Sequence, residues 1–142
     1  MKKLTPVQKS EKKRKTCVKL AKQIACSIAG YKCEHCGKTK QNGWQMHGSH
    51  IHPEGVYKSM SADVDNILCL CATCHVGGFW KNSNKPSWHE DPMYFVEWFK
   101  NKYQKRYVEL EERKKKSVQL SEEYWNKKHN ELKEIWKSLT TY

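Results

Sequence analysis

Two cysteine pairs, Cys33-x-x-Cys36 and Cys71-x-x-Cys74, bracket 34 residues and constrain this chain more than any other feature. Four thiolates in two such turns complete a tetrahedral Zn²⁺ site with no open position, which is a structural arrangement. The 142-residue chain is only 37 % hydrophobic, so apolar side chains alone give a modest core. A bound metal relieves that shortage, because its binding free energy becomes folding free energy. The other three cysteines, Cys17, Cys26 and Cys69, read as small buried thiols. The first residues lack the apolar stretch of a signal peptide, and no segment approaches the ~18 apolar residues of a membrane span. The expectation is an intracellular, cytoplasmic protein with no membrane contact. In a reducing compartment such cysteine pairs are metal sites more often than disulfides.

A structural zinc has no need of histidines, yet His47, His50 and His52 lie between the pairs with Asn66, and His75 follows Cys74 directly. Hydrolysis of a phosphodiester needs a base to deprotonate water and a cation to neutralise charge on the leaving oxygen. A neutral imidazole titrates near working pH and suits the first task. His50, followed by Ile-x-Pro, has a well-defined backbone. His75 is fixed by the zinc ligand beside it and is suited to hold a second metal. The amide of Asn66 both donates and accepts, so it can pin the loop carrying His50 or set that imidazole's tautomer. His35, inside the first cysteine turn, reads as a passive surface residue, and His89 and His129 fall outside the constellation.

The net charge of +12 favours a polyanion partner. Residues 1–22 hold nine Lys or Arg against the single acid Glu11. Lys12, Lys13, Arg14 and Lys15 are the candidate nucleic-acid contacts there, with Arg106, Arg113 and Lys114–Lys116 further along. Thr5-Pro6-x-Gln8 is a capping signal, and Val18, Ala21, Ala25 and Ile28 recur at helical spacing before Gly30, which predicts a basic helix over roughly 8–29. Trp44–His47 and Ser49–Ile51 are candidate strands of a short hairpin, with a turn at Asn42-Gly43 before them. Gly77 to Ser87 reads as a loop. Asp91-Pro92 opens a second helix whose pairs Tyr94/Trp98 and Phe95/Phe99 pack into the core. A long charged helix then runs to about Ser138. Its stripe of Val118, Trp125, Leu132 and Leu139 either packs back on the domain or forms the seam of a homodimer.

His50-Ile-x-Pro, Asp65-Asn66-Ile-Leu-Cys-Leu-Cys71-x-x-Cys74-His75 and the leading Cys33-x-x-Cys36 together resemble the HNH endonuclease family, with its zinc-supported ββα-metal core, over about residues 31–80. The resemblance implies that His50 is the general base and Asn66 the structural asparagine. It also implies that His75 binds a catalytic Mg²⁺ or Mn²⁺ and that the four cysteines hold one zinc. One position departs from the family. The residue before the base, often Asp or His and a further metal ligand, is here Ser49, whose hydroxyl is a poor substitute. His52 shares a strand face with His50 if the segment is extended, whereas His47 needs a bend at Gly48. His47 is favoured, because His-Gly-Ser-His-Ile is similar to the His-x-x-His run of phage recombination nucleases of the NinG (Rap) type. Those nucleases act on branched or recombining DNA of a phage or mobile element.

The expected fold is α+β: a small zinc-stapled ββα-metal core with flanking helices, including the long charged C-terminal one. The expected organisation is a basic arm and helix over 1–30, a nuclease core over 31–90 and a helical extension over 91–142. The expected activity is metal-dependent hydrolysis of DNA, gripped through backbone phosphates. The rival is a non-catalytic zinc-stabilised nucleic-acid-binding module, which the departure at Ser49 permits.

Overall fold

The structure, a computed structural model of the chain, describes residues 2–39, 45–77 and 86–141. The first helix, α1, spans Pro6–Ile28, and both halves of the predicted capping box form: the Thr5 hydroxyl accepts from Gln8 N and the Gln8 side chain accepts from Thr5 N. Proline at the first turn leaves no donor unsatisfied there. After the Ala29 cap the chain turns through Gly30 (φ 66°) and Tyr31 (φ 53°). The apolar stripe lies on the second half of the helix, where Cys17, Val18, Ala21, Ile24, Ala25 and Cys26 are buried.

The predicted local hairpin is not what forms. One continuous strand, β1 (Met46–His50), pairs antiparallel with β2 (Ile67–Cys71), with His50 opposite Ile67 and Met46 opposite Cys71. The Asn42-Gly43 turn and Trp44 lie outside the described residues, as does most of the Gly77–Ser87 loop. Two short 3₁₀ turns, Lys58–Met60 and Val64–Asn66, fill the return from β1 to β2. β2 is buried along its whole length, which explains its unalternating sequence Ile-Leu-Cys-Leu-Cys. Ile67 packs with Val18, Ala21 and Ile24 of α1, whereas Leu68 and Leu70 pack with Phe95 and Phe99. The strand therefore lies between two helical layers, each with its own apolar cluster.

β2 runs directly into α2 (Ala72–Val76), with the Cys71 sulfur accepting from Cys74 N at the helix start. α3 (Pro92–Lys102) is capped by Asp91 as the sequence predicts. The long charged helix does not continue to Ser138. It is divided into α4 (Gln104–Lys114) and α5 (Glu122–Thr140). Tyr103 breaks it from α3 by leaving helical geometry (φ −125°, ψ 57°) and donating its hydroxyl to Glu34 Oε1 at 3.0 Å. Ser121 caps α5 through Tyr124 N, and Leu120 O accepts from Ser10 Oγ of α1. The C-terminal stripe packs back on its own chain: Trp125 and Leu132 are 1 % and 2 % exposed, buried against Cys17, Val18 and Ala21. Val118 and Leu139, its ends, stay exposed. Among the described residues no helix is long and apolar enough to cross a membrane. The fold is thus α+β, helices around a two-stranded sheet with a four-cysteine cluster.

Candidate metal centre and histidine site

The two cysteine turns meet. The first is a knuckle in which Lys32 bridges Thr39, Cys33 N donates to Lys38 O, and Gly37 takes φ 79° to close the turn. In both pairs the first sulfur accepts a backbone N–H from the second cysteine at 3.5 Å, Cys36 N to Cys33 and Cys74 N to Cys71. All four Sγ atoms lie within 4.8 Å of one another, and Cys36 Sγ is 3.6 Å from Cys71 Sγ. Thiolates about 2.3 Å from one zinc stand roughly 3.8 Å apart, so the cluster can hold one structural metal ion such as zinc. The electrostatics of the four sulfurs agree. A hydrogen bond from Cys74 pulls Cys33 down to about 4. The same contact pushes Cys74 well up, and burial pushes Cys71 up to about 11. Sulfurs this crowded cannot all be thiolates unless a cation sits among them.

His35 is no passive surface residue. Its Nδ1 is 3.3 Å from Cys74 Sγ and its Nε2 3.3 Å from the Tyr94 hydroxyl, with the ring packed on Phe95 and Trp98 at 4.6 and 5.0 Å between centroids. The aromatic pairs of α3 thus grip a residue that touches a cysteine of the cluster. Imidazoles in such contacts orient the ligand and adjust its basicity. The buried remainder, Cys17, Cys26 and Cys69, takes no part in the cluster.

The histidine positions diverge in an informative way. His47 Nδ1 lies 2.9 Å from His75 Nδ1, so β1 and α2 bring two imidazole nitrogens to one point. The predicted bend at Gly48 is absent, since β1 runs straight through it. Instead α2 brings His75 to His47 on the strand as it stands. Two nitrogens this close share a proton or share a cation. Burial, then the neighbouring His89 and His47, hold His75 down to about 4, so its ring is neutral near pH 7. His52 is turned away from them, towards Glu111 (3.2 Å) and the ring of Tyr57. Its Nε2 is buried without a hydrogen bond, because the Glu111 oxygen is out of line. Ser49 is 2 % exposed.

His50 occupies the end of β1. Its Nε2 is 2.7 Å from the carbonyl oxygen of Ser61. A carbonyl only accepts, so Nε2 carries the proton and Nδ1 is the free base of the neutral ring. Burial lowers its pKa, with smaller contributions from Lys22 and Arg14 opposed by the Ser61 carbonyl and Glu54. Asn66 is fully buried and makes three bonds: Oδ1 accepts from His52 N, and Nδ2 donates to His52 O and Met60 O. It therefore pins the backbone that leaves His50 to the segment that supplies Ser61.

His89, given no role above, joins the cluster with its ring 4.7 Å from that of His75. The turn holding it is built by Ser87 and Glu90, each side chain accepting the other's backbone N–H. It docks on α2 through Trp88 N to Cys74 O and His89 N to His75 O. Gly77 permits the approach, since a Cβ there would meet Glu90 Oε1 at 2.6 Å. The signal is in the sequence: Ser87-x-x-Glu90 is itself a capping box.

The basic candidates separate as well. Arg14 is only 7 % exposed and is clamped by Glu11 and Glu54. Arg106 donates to Asp65 O at 2.6 Å and Ile67 O at 2.9 Å, and Arg113 pairs with Asp63 and Asp65. These guanidiniums hold the fold together and leave the set of free phosphate contacts. Lys12 and Lys15 stay exposed on α1, with Lys13 half-buried. A groove of about 670 Å³ opens between the end of α1, the first knuckle and Tyr103, but His47, His50 and His75 do not line it.

No protein-family model, curated protein or solved structure matches this chain.

Proposed function

We propose that the protein is a metal-dependent DNA endonuclease of the HNH kind, hydrolysing phosphodiester bonds with His50 as general base. The observation that carries this reading is the convergence of His47 and His75 at 2.9 Å on the strand that ends in a His50 ring whose Nδ1 has no partner among the described residues. The strand–strand–helix order of β1, β2 and α2 around the four sulfurs supports it. The donor set of two imidazoles fits a divalent cation, which when bound would neutralise charge on the departing 3′ oxygen. His89 stands beside this pair as a candidate third ligand.

The chain's own residues do the rest. Ser61 O holds the His50 proton on Nε2, so Nδ1 takes the proton of the attacking water. Asn66 keeps that carbonyl and the His50 backbone in register. Exposed lysines along α1 grip backbone phosphates without reading bases. Branched or recombining DNA of a phage or mobile element is the preferred substrate on the weaker NinG likeness.

A second reading, a non-catalytic nucleic-acid-binding module, is favoured by one observation. Ser49 replaces the usual carboxylate or imidazole and is itself buried. Supercoiled plasmid incubated with Mg²⁺ or Mn²⁺ separates the two. Nicking by the parent and loss of it in His50→Ala supports the enzyme. A parent that shifts DNA on a gel yet never nicks it leaves only the binding module.

A further inference from the structure

Lys22 lies on the inward stripe of α1, four residues after Val18 and three before Ala25, where the pattern calls for an apolar side chain. It packs on Gly48, between His47 and the Ser49-His50 pair. A Cβ added at Gly48 would lie 2.5 Å from Lys22 Cγ and 2.7 Å from Lys22 Cβ. The glycine has no unusual φ to explain it, so close approach of α1 is its reason. That approach lays the aliphatic stem of Lys22 across the strand carrying the histidines.

Lys22 as a residue is half-buried, and its ammonium forms no hydrogen bond or ion pair among the described residues. The stem crosses β1 at Gly48, which shares a strand face with His50 two residues on. Elsewhere in the fold the inward-facing arginines have partners: Arg14 has two carboxylates, Arg113 has two and Arg106 has two carbonyls. A lysine kept on a buried stripe beside the histidine strand, without an anion of its own, leaves room for an anion supplied from outside.

We propose that Lys22 is a phosphodiester-binding residue of the histidine site, its ammonium held over β1 by the contact with Gly48 so that it takes a non-bridging oxygen of the nucleic-acid backbone. This rests on the nucleic-acid reading above and adds the group that grips the substrate there. The test is duplex-oligonucleotide binding across a salt series, without added divalent cation, for the parent, Lys22→Met and Lys22→Arg. Methionine keeps an unbranched stem on Gly48, and an unchanged thermal midpoint certifies its fold. Lys22→Met is expected to bind about tenfold more weakly at low salt, with a salt slope smaller by about one. Lys22→Arg is expected to recover most of both. Equal affinity and slope for parent and Lys22→Met would overturn the inference even if the parent nicks plasmid, and so would a parent that does not bind DNA. A reduced slope in a protein that never nicks would sustain Lys22 as a phosphate contact while removing the endonuclease reading.

Discussion

Asn66 shows how much one side chain can carry. Its three bonds satisfy His52 N, His52 O and Met60 O in a region closed to water. Asn66→Ala removes all three and is expected to cost about 2–4 kcal/mol in urea unfolding, because a buried polar group left unpaired costs about 1–3 kcal/mol. Asn66→Asp is expected to be no better, since a carboxylate would face two carbonyl oxygens. Gly48 reads as the place of a bend between His47 and Ser49, whereas its partner Lys22 lies 26 residues away in another element, and no local pattern joins them. His75 gives a pH prediction. Its pKa in the fold, about 4, is below the ordinary 6.5, so the unfolded chain binds its proton more readily. The stability this confers is complete above about pH 6.5 and is lost as pH falls towards 4, and lowered His50 and His52 act in the same direction. Urea midpoints between pH 7.5 and 4.5 should fall less steeply for His75→Gln than for the parent.

At the scale of elements, the signals that act locally were readable and those that act at a distance were not. The Thr5 capping box and the Asp91 cap lie within four residues of what they satisfy, and both form as the sequence predicts. The break at Tyr103 depends on Glu34, far off in the first knuckle, and that in turn ties the α3–α4 joint to the cysteine cluster. A helical charge pattern gives no hint of it. The strand pairing was missed for a related reason. β2 is covered on both faces, so it lacks the alternation by which a strand is recognised, and its partner is the segment before a long return loop. The stripe on α5 left two outcomes open, and burial of Trp125 against α1 favours packing within the chain. Trp125→Ala is expected to cost about 3–5 kcal/mol by chemical denaturation, as loss of a buried aromatic does. Thr5→Ala, at the exposed start of α1, should cost about 1 kcal/mol.

For the molecule as a whole, the cysteine cluster is the joint between the layers. Cys33 sits in the apolar cluster with Leu70 and Phe95, Cys71 ends the central strand, and Cys74 places both His75 and the turn bearing His89. Metal loss should therefore propagate beyond the knuckles. Zinc analysis is expected to give about one ion per chain, and a strong chelator or Cys71→Ser should abolish the cooperative unfolding transition. The histidine site lies where the second cysteine turn, the two-stranded sheet and α1 meet, so any chemistry there depends on the frame being intact. The most direct test is the rate at which a supercoiled plasmid is nicked in Mn²⁺ by parent and His50→Ala, both carrying one zinc per chain. A general base accounts for about 10²–10⁴ in rate, so the variant should be slower by that factor with its fold and zinc content unchanged. Equal rates for the two proteins, or no nicking by a zinc-loaded parent, would contradict a hydrolytic role for this site.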